Sequence, residues 1–189
     1  MKKIVIFASG SGSNAEKIIL HFKNNYQGNV VAVFTNNLHA KVLEKASQLQ
    51  VSTETFNKNE LSEGTVLNKI NKINPDLIVL AGFLLKFPEE IIKQYPDKII
   101  NIHPALLPKY GGKGMYGINV HKAVLENKEI ETGITIHYVN KNYDEGEFIF
   151  QKSVSIINCK TPEEIAQKIH ALEMEYFPKE IEKLLIPKI

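Results

Sequence analysis

The stretch KIINIHPALLPKY, residues 98–110, joins a short apolar run to a proline-rich loop that begins with two polar side chains. The apolar run predicts a buried strand ending at the carboxyl edge of a sheet, where open parallel sheets place their ligand sites. Asn101 and His103 follow two residues apart, and in an extended segment such residues point to the same side. Both side chains can therefore face one reacting atom.

Two prolines restrict the backbone of this stretch. Pro104 and Pro108 limit φ at their own positions and at the residues before them, so we expect a stiff loop without helix or ladder hydrogen bonds. Loops carry functional residues disproportionately. The alternative interpretation is that Asn101 only terminates a strand and that His103 is a loop histidine bonded to a carbonyl group.

The chain before this stretch alternates between apolar, β-branched runs and helical patterns. We predict strands at residues 3–8, 29–35, 51–56 and 76–81, and helices after Asn14, at 40–50, at 65–73 and from Pro88 to near Tyr95. Residues 57–64 form a polar stretch between the third strand and the following helix. Regular alternation of this kind predicts an α/β fold with a doubly wound, mostly parallel, Rossmann-like sheet.

The chain after this stretch predicts an edge hairpin and a long C-terminal helix. The predicted elements are, in order, a mobile glycine-rich segment at 111–114, a helix at 118–126 and an antiparallel hairpin of 132–139 with 147–157. Thr161, followed by Pro162 and two glutamates, is typical of a helix start. No repeat or linker interrupts the chain, so we expect a single domain over residues 1–189.

A second polar turn, S-G-S-G-S-N at residues 9–14, lies between the first predicted strand and the first predicted helix. This arrangement presents backbone N–H groups and a helix N-terminus to a phosphate, with Asn14 as the expected N-cap. The turn lacks the Gly-Lys-Ser/Thr ending of a Walker loop, and Ala15 stands where a dinucleotide fingerprint has its third glycine. We therefore predict a phosphomonoester site, with a flexible capped loop as the alternative.

Composition restricts the classes of partner and cofactor. The chain has 189 residues and a net charge of +2, which does not favour a nucleic acid or a membrane as the main partner. Cys159 is the only cysteine, which excludes an internal disulfide and a cysteine-rich zinc site, and we expect no metal. No apolar run has the length of a signal sequence or a membrane span, so the expected location is the cytoplasm.

A carboxylate in the predicted hairpin turn, Asp144, completes a candidate catalytic set with Asn101 and His103. A carboxylate in contact with an imidazole raises the pKa of the histidine, so His103 would be cationic at neutral pH and would stabilise an oxyanion together with Asn101. No activated serine or cysteine nucleophile is evident, which favours direct acyl transfer to a bound nucleophile. Alternatively, Asp144 only forms the turn.

Four motifs together resemble the family of phosphoribosylglycinamide formyltransferases. They are S-G-S-G-S-N at 9–14, L-A-G-F at 80–83, N-I-H-P-A-L-L-P at 101–108 and D-E-G at 144–146, in the family's order and spacing over essentially the whole chain. The resemblance implies the formyltransferase fold. It also implies transfer of the formyl group of 10-formyltetrahydrofolate to the amine of 5-phosphoribosylglycinamide, a step of purine synthesis.

The resemblance also implies roles for individual residues. The catalytic residues would be Asn101, His103 and Asp144, with Asp144 keeping His103 protonated. The substrate-binding residues would be Gly12, Ser13, Asn14, Ala15 and Glu173. The folate-binding residues would be Leu84, Leu85, Lys86, Phe87, Asn101, Val139, Asn140 and Asp144. Without the resemblance, we would interpret Glu173 as a solvent-exposed residue of the C-terminal helix.

Some positions depart from the family pattern. The family commonly has an arginine near Asn59, and it often has Met-Arg after Ala-Gly-Phe, where this chain has Leu84-Leu85-Lys86. Lys58 and Lys86 could supply the charge, although a lysine cannot reproduce the bidentate grip of a guanidinium group. His121 and His137 fall where the family has histidines, and we expect both to have structural roles, in capping or in hydrogen bonding beside the sheet.

Other functions remain to be distinguished. Methionyl-tRNA formyltransferase and formyltetrahydrofolate hydrolase share the catalytic set but carry additional domains, whereas we expect this chain to begin with the first strand and end with the last helix. A formyltransferase for another phosphorylated amine, or a non-catalytic nucleotide-binding module, are the alternatives. Small molecules are the expected partners, and the expected assembly is a monomer or a homodimer.

Overall fold

Seven β-strands form one sheet in the computed structural model, which describes residues 1–186. The strands are β1 (Lys2–Phe7), β2 (Gly28–Thr35), β3 (Ser52–Thr55), β4 (Leu77–Leu80), β5 (Ile99–His103), β6 (Glu131–Tyr138) and β7 (Phe148–Ser155). Their spatial order is β3-β2-β1-β4-β5-β6-β7. The pairs among β1 to β5 are parallel, and the β5–β6 and β6–β7 pairs are antiparallel. The predicted mostly parallel sheet with an antiparallel edge hairpin is confirmed.

Helices cover both faces of this sheet. They are α1 (Ser13–Lys23), α2 (Lys41–Gln48), α3 (Lys58–Ser62), α4 (Thr65–Ile73), α5 (Glu89–Gln94), α6 (Ile118–Glu126) and α7 (Pro162–Leu185). Ile4 and Ile6 of β1 belong to an apolar cluster with α1, α2, α6 and α7, while Val5 and Phe7 belong to a second cluster with α3, α4 and α5. Successive side chains of a strand point to opposite faces, so β1 is buried on both sides. The doubly wound architecture and the long C-terminal helix are confirmed.

The direction of winding reverses at β1, whose neighbours in the sheet are β2 and β4. An open α/β sheet has a crevice at such a point, outside the carboxyl ends of its strands. The loops that follow β1, β4 and β5 therefore open on the same side of the molecule. Three of the four sequence motifs lie in or beside these loops.

Phe7, at the end of β1, is the centre of an aromatic cluster on one face of the sheet. Its ring stacks on Phe34 with centroids 4.9 Å apart, and it meets Phe83 and Phe87 edge-on at 5.4 and 5.1 Å. Aromatic pairs of this kind contribute about 0.5–1.5 kcal/mol beyond the burial of their area. They hold the loop after β4 against the sheet.

One helix was not predicted, and one N-cap prediction is wrong. The polar residues 57–64 contain α3, because Asn57 Oδ1 accepts a hydrogen bond from the Glu60 N–H (3.0 Å) and Glu60 Oε2 accepts one from the Asn57 N–H (2.8 Å). This capping box satisfies two backbone N–H groups at the start of α3. Gly12, with φ of 70°, is the N-cap of α1 in place of Asn14, whose side chain is used elsewhere.

The expectation that residues 101–110 lack ladder hydrogen bonds is also wrong at their start. β5 continues to His103, so Asn101 pairs with His137 of β6 and His103 pairs with Thr135. Asn101 and His103 therefore project from a strand inside the sheet, which holds their backbone more rigidly than the prolines alone.

The predicted start of α7 and the predicted end of α4 are confirmed. The Thr161 hydroxyl accepts a hydrogen bond from the Glu164 N–H at 3.2 Å, and Pro162 occupies the first turn of α7. Asn74, in the left-handed conformation, ends α4. None of the helices within residues 1–186 combines the length and the apolar character needed to cross a bilayer.

Candidate active site

A cleft of about 640 Å³ lies at the carboxyl ends of β1, β4 and β5. It is lined by nearly all the residues that the sequence predicts to act in catalysis or binding. These are Gly12, Ser13, Asn14, Leu84, Leu85, Lys86, Phe87, Asn101, His103, Val139, Asn140, Asp144 and Glu173. Residues separated by more than 150 positions in the chain thus meet in one cavity.

Three predicted site residues are not in this cleft. Ala15 is fully buried in the apolar core, but its backbone N–H belongs to the first turn of α1, so its role in binding the substrate stays a prediction. Lys58 lines a neighbouring cavity of about 370 Å³, which shares Lys86 and Tyr143 with the main cleft. Asn59 is exposed on α3 and lines neither cavity.

Residues 9–14, which we call the phosphate loop after the role predicted for them, form one wall of the cleft. Gly12 adopts a left-handed conformation, and a side chain there would overlap Val42, whose Cα would lie 2.7 Å from the added carbon. The loop places the N-terminus of α1, with its free N–H groups, at the cleft wall. The Ser9 hydroxyl donates to Asn36 Oδ1 (2.7 Å) and accepts from the Leu84 N–H (3.0 Å), which ties the loop to its neighbours. The arrangement suits an anion.

Glu173 of α7 closes one side of the phosphate loop. Its Oε2 accepts a hydrogen bond from Asn14 Nδ2 at 2.9 Å and lies 3.8 Å from Nδ1 of His170. The nearby Glu173 carboxylate raises the pKa of His170. His170 also lines the cleft, and the sequence did not point to it because its spacing is that of an ordinary helix surface residue.

On the other side of the cleft, Asn101, His103, His137 and Asp144 form a cluster that we call the histidine–aspartate cluster. Asp144 Oδ2 lies 3.6 Å from His103 Nδ1, and its Oδ1 lies 3.6 Å from His137 Nε2. Asn101 Nδ2 lies 3.2 Å from His137 Nε2. The side chains of His103, His137 and Asp144 are only 4%, 3% and 12% exposed. The predicted catalytic set therefore meets in space.

Backbone carbonyl groups determine which ring nitrogens of this cluster carry hydrogen. His103 Nε2 lies 2.7 Å from the carbonyl oxygen of Tyr110, and His137 Nδ1 lies 2.9 Å from that of Tyr138. A carbonyl oxygen only accepts, so both of these nitrogens are donors. In the neutral rings, Nδ1 of His103 then faces Asp144 with a lone pair, and Nε2 of His137 accepts from the Asn101 amide. Asn101 is thereby held with its NH₂ group toward His137.

Burial and neighbouring groups have opposing effects on the pKa values of His103 and Asp144. Burial lowers the pKa of His103, although the Asp144 carboxylate and the hydrogen bond to Tyr110 oppose this effect. Burial raises the pKa of Asp144, but the adjacent imidazole rings of His137 and His103 and the hydrogen bond from the Gly112 N–H outweigh it and hold that pKa below its usual range. At neutral pH these directions favour an ionised Asp144 and a neutral His103. The cationic His103 expected from the sequence stays a prediction, and the cost of burying its charge opposes it.

The turn that carries Asp144 has a geometry that few residues adopt. Asp144 has φ of 56°, a left-handed conformation that aspartate tolerates better than most side chains. At Gly146, a side chain would overlap the carbonyl oxygen of Tyr138. Asp144 Oδ2 also accepts a hydrogen bond from the Gly112 N–H at 2.9 Å. The carboxylate thus anchors the glycine-rich segment 111–114, whose expected mobility remains a prediction.

His137 and His121 differ in their hydrogen bonding. His137 hydrogen-bonds beside the sheet, as predicted. His121, on α6, neither caps a helix nor has a partner for its buried Nδ1, so the structural role predicted for it is wrong. Within residues 1–186, no three histidine, cysteine, aspartate or glutamate side chains converge as metal ligands do.

Lysines supply the basic side chains around the cleft, since the chain contains no arginine. Lys86 and Lys113 line it, and the Lys86 ammonium group lies 6.0 Å from the centre of the Tyr143 ring. This contact spans from the loop after β4 to the hairpin turn.

Comparison with known proteins places the chain in a family. The family model described as formyl transferase matches residues 2–181. The phosphoribosylglycinamide formyltransferase of Bacillus subtilis is 34% identical over 98% of this chain and 95% of its own length. The chloroplastic enzyme of that name from Arabidopsis thaliana is 40% identical over 89% of this chain. The chain spans only 60% of that plant protein and 62% of the one from Vigna unguiculata.

Solved structures agree with the sequence relatives. The crystal structure of glycinamide ribonucleotide transformylase 1 from Geobacillus kaustophilus matches with a TM-score of 0.90 at 31% identity, covering 98% of this chain and 100% of that one. The phosphoribosylglycinamide formyltransferase of Bacillus halodurans matches with a TM-score of 0.87 at 32% identity, covering 97% and 95%. Since the family model covers nearly the whole chain and the fold and cleft agree with it, the chain belongs to the formyl transferase family.

Proposed function

We propose that the protein transfers the formyl group of 10-formyltetrahydrofolate to the amine of 5-phosphoribosylglycinamide, in de novo purine synthesis. The observation that carries this proposal is the shared cleft: an anion-binding loop and a buried Asn101–His103–Asp144 set open into the same cavity. A phosphorylated amine and an acyl donor need this combination. Relatives that bear the corresponding enzyme name agree in sequence over most of the chain.

The substrate phosphate would bind to the N–H groups of Gly12, Ser13 and Asn14. Glu173, held by Asn14, would contact the body of the same substrate, whose amine would then reach Asn101 and His103. The pterin of the folate would lie against the wall made by residues 84–87 and 139–144. Lys86, with Lys58 in the adjoining cavity, would meet the carboxylates of the folate, each as a single charge rather than a bidentate grip.

The reaction moves one proton and one formyl group. The amine nitrogen attacks the formyl carbon, and the carbonyl oxygen becomes an oxyanion that accepts a hydrogen bond from the Asn101 amide. Neutral His103 receives the amine proton at Nδ1, and the ionised Asp144 stabilises the resulting imidazolium. The intermediate then collapses: the bond to N10 of the folate breaks, and His103 returns its proton to that nitrogen. His103 thus acquires its charge during the reaction.

We also propose a domain organisation, a location, an assembly and a class of partners for this chain. The chain would act as a single domain over residues 1–189, in the cytoplasm, as a monomer or a homodimer. Its partners would be small molecules, with no nucleic acid or membrane involved.

The test is a formyl-transfer assay with purified protein, phosphoribosylglycinamide and a 10-formyl folate, following release of the deformylated folate. We expect release that requires the glycinamide and that falls about 10²–10⁴-fold in His103→Ala, the range typical of a lost acid–base group. His39→Ala is the matched control, because His39 is exposed and lies outside the cleft.

Other outcomes would contradict the proposal in distinct ways. Release without the glycinamide would indicate a hydrolase. No release from folded protein would indicate a different phosphorylated amine, to be sought among related compounds. Ligand binding that is unaffected by His103→Ala, without any turnover, would indicate a non-catalytic binding module.

A further inference from the structure

His121 is a buried polar residue in the wall of the cleft that the proposed reaction leaves unused. It is 5% exposed, and its Nδ1 has no hydrogen-bond partner among residues 1–186. A buried nitrogen of this kind destabilises a protein unless a partner satisfies it. His121 thus places an unpartnered ring nitrogen in the wall of the cleft.

The groups that face His121 belong to both halves of the cleft. Burial lowers the pKa of His121, while the Glu173 carboxylate of α7 raises it and the charge of His103 of β5 lowers it. Glu173 is bonded to the phosphate loop through Asn14, and His103 belongs to the histidine–aspartate cluster. His121 is therefore near the path from the phosphate site to the reacting amine, and its ring is neutral at neutral pH.

A second unsatisfied atom lies in the same region. Asn14 donates its NH₂ group to Glu173, but its Oδ1 is buried and without a partner among the described residues. Both unsatisfied atoms belong to side chains that line the cleft around Glu173. Two buried polar atoms without protein partners in one part of the cleft wall favour a polar ligand as their partner.

We infer that His121 contacts the substrate, hydrogen-bonding the glycinamide arm between the phosphate loop and the histidine–aspartate cluster. This inference rests on the proposed function. An amide presents one N–H donor and one carbonyl acceptor, and a neutral imidazole has the complementary acceptor and donor. No hydrogen bond restrains Nδ1, so the ring can turn about its Cβ–Cγ bond to present a nitrogen to the ligand.

The test compares His121→Phe and His121→Gln with the unchanged full chain. For His121→Phe we expect an unfolding temperature equal to or above that of the unchanged protein, because the unsatisfied nitrogen is gone. The KM for phosphoribosylglycinamide should rise about tenfold, the effect of roughly one lost hydrogen bond, while the KM for the formyl folate changes less than about twofold. His121→Gln, which restores a donor and an acceptor, should recover part of the loss. His39→Gln serves as the control.

A glycinamide KM that is unchanged in folded His121→Phe would overturn the inference, as would equal increases in both KM values. Where His121→Phe does not fold, ring-nitrogen NMR of the unchanged protein decides: adding phosphoribosylglycinamide should shift the His121 nitrogen signals, and no shift under saturating ligand would overturn the inference. Formyl transfer by the unchanged protein is measured first. Its absence would contradict the proposed function, whereas the NMR titration still reports whether the phosphorylated amine meets His121.

Discussion

The two halves of the cleft bind their ligands by different means. The phosphate loop, residues 9–14, contains no titratable side chain and offers backbone N–H groups at the start of α1. The histidine–aspartate cluster buries two histidines and one carboxylate within a few ångströms of one another. Backbone donors hold an anion at any pH, whereas proton transfer needs groups that change their charge. The comparison teaches that binding and chemistry occupy separate structural units here.

The two halves also differ in how they are assembled. The phosphate loop is one continuous segment between a strand and its following helix. The cluster combines side chains from β5, β6 and the hairpin turn, so that Asn101 and His137 meet across 36 residues of sequence. Only the sheet register brings them together.

The largest expected effect comes from removing the charge of the cluster. Asp144→Asn should lower kcat about 10²-fold, because the imidazolium that forms on His103 loses its counter-charge. Asp144 raises the pKa of His103, so the variant should also have its acidic limb of kcat/KM at lower pH than the unchanged protein. A pH–rate profile measures both quantities.

The control for this variant is Asp97→Asn, which changes a carboxylate outside the cleft. A loss of activity on the basic side of the profile, at lower pH in Asp144→Asn than in the unchanged protein, would contradict the assignment of His103 as the group that must be neutral before the reaction. That result would favour a His103 that is cationic before the reaction begins.

A smaller effect is expected in the phosphate loop. Gly12→Ala forces an alanine into a left-handed conformation with φ of 70° and into contact with Val42. Strain of this kind is typically about 1–3 kcal/mol. The KM for phosphoribosylglycinamide should therefore rise about tenfold or more, while kcat and the pH profile remain nearly unchanged because the cluster is intact.

Gly10→Ala is the matched control, since an added Cβ at Gly10 meets no heavy atom within 4 Å. Equal losses in the two variants would show that the loop tolerates no change at all, rather than having one critical close approach. A changed pH profile in Gly12→Ala would show that the two halves of the cleft are not independent.

The smallest effect concerns stability in acid. The pKa values of His103 and His121 lie below the ordinary histidine value of 6.5, because burial disfavours their charged forms. Below pH 6.5 the unfolded chain binds these protons more readily, so the free energy of unfolding should fall as the pH decreases. Asp144 does not add to this change above pH 3.8, since its pKa in the folded protein is lowered.

Denaturant unfolding at several pH values measures this trend. His103→Gln removes one of the two titrating groups, so its stability should depend less on pH between 7 and 5 than that of the unchanged protein. An identical dependence would show that the buried cluster is not the source of acid sensitivity. Gly10→Ala should follow the unchanged protein.

Much of the fold could be predicted because its signals are local. Buried parallel strands have continuous apolar runs, as in β1 and β4, and Thr161 with Pro162 starts α7 as its end signals predict. α3 was missed since its capping box, Asn57 with Glu60, lies in a short polar segment without helical periodicity. That the side chain of Ala15 lies in the core could not be predicted from its spacing to the loop alone.

By itself, the sequence determined the order of strands and helices, the phosphate loop and the pairing of Asn101 with His103, because each depends on residues that are close in the chain. Tertiary structure alone decided the charge of His103, the anchoring of Asp144 by Gly112 and the unsatisfied nitrogen of His121. The reason is physical: a pKa and a hydrogen bond depend on burial and on distances between segments, and a linear pattern of residue types specifies neither.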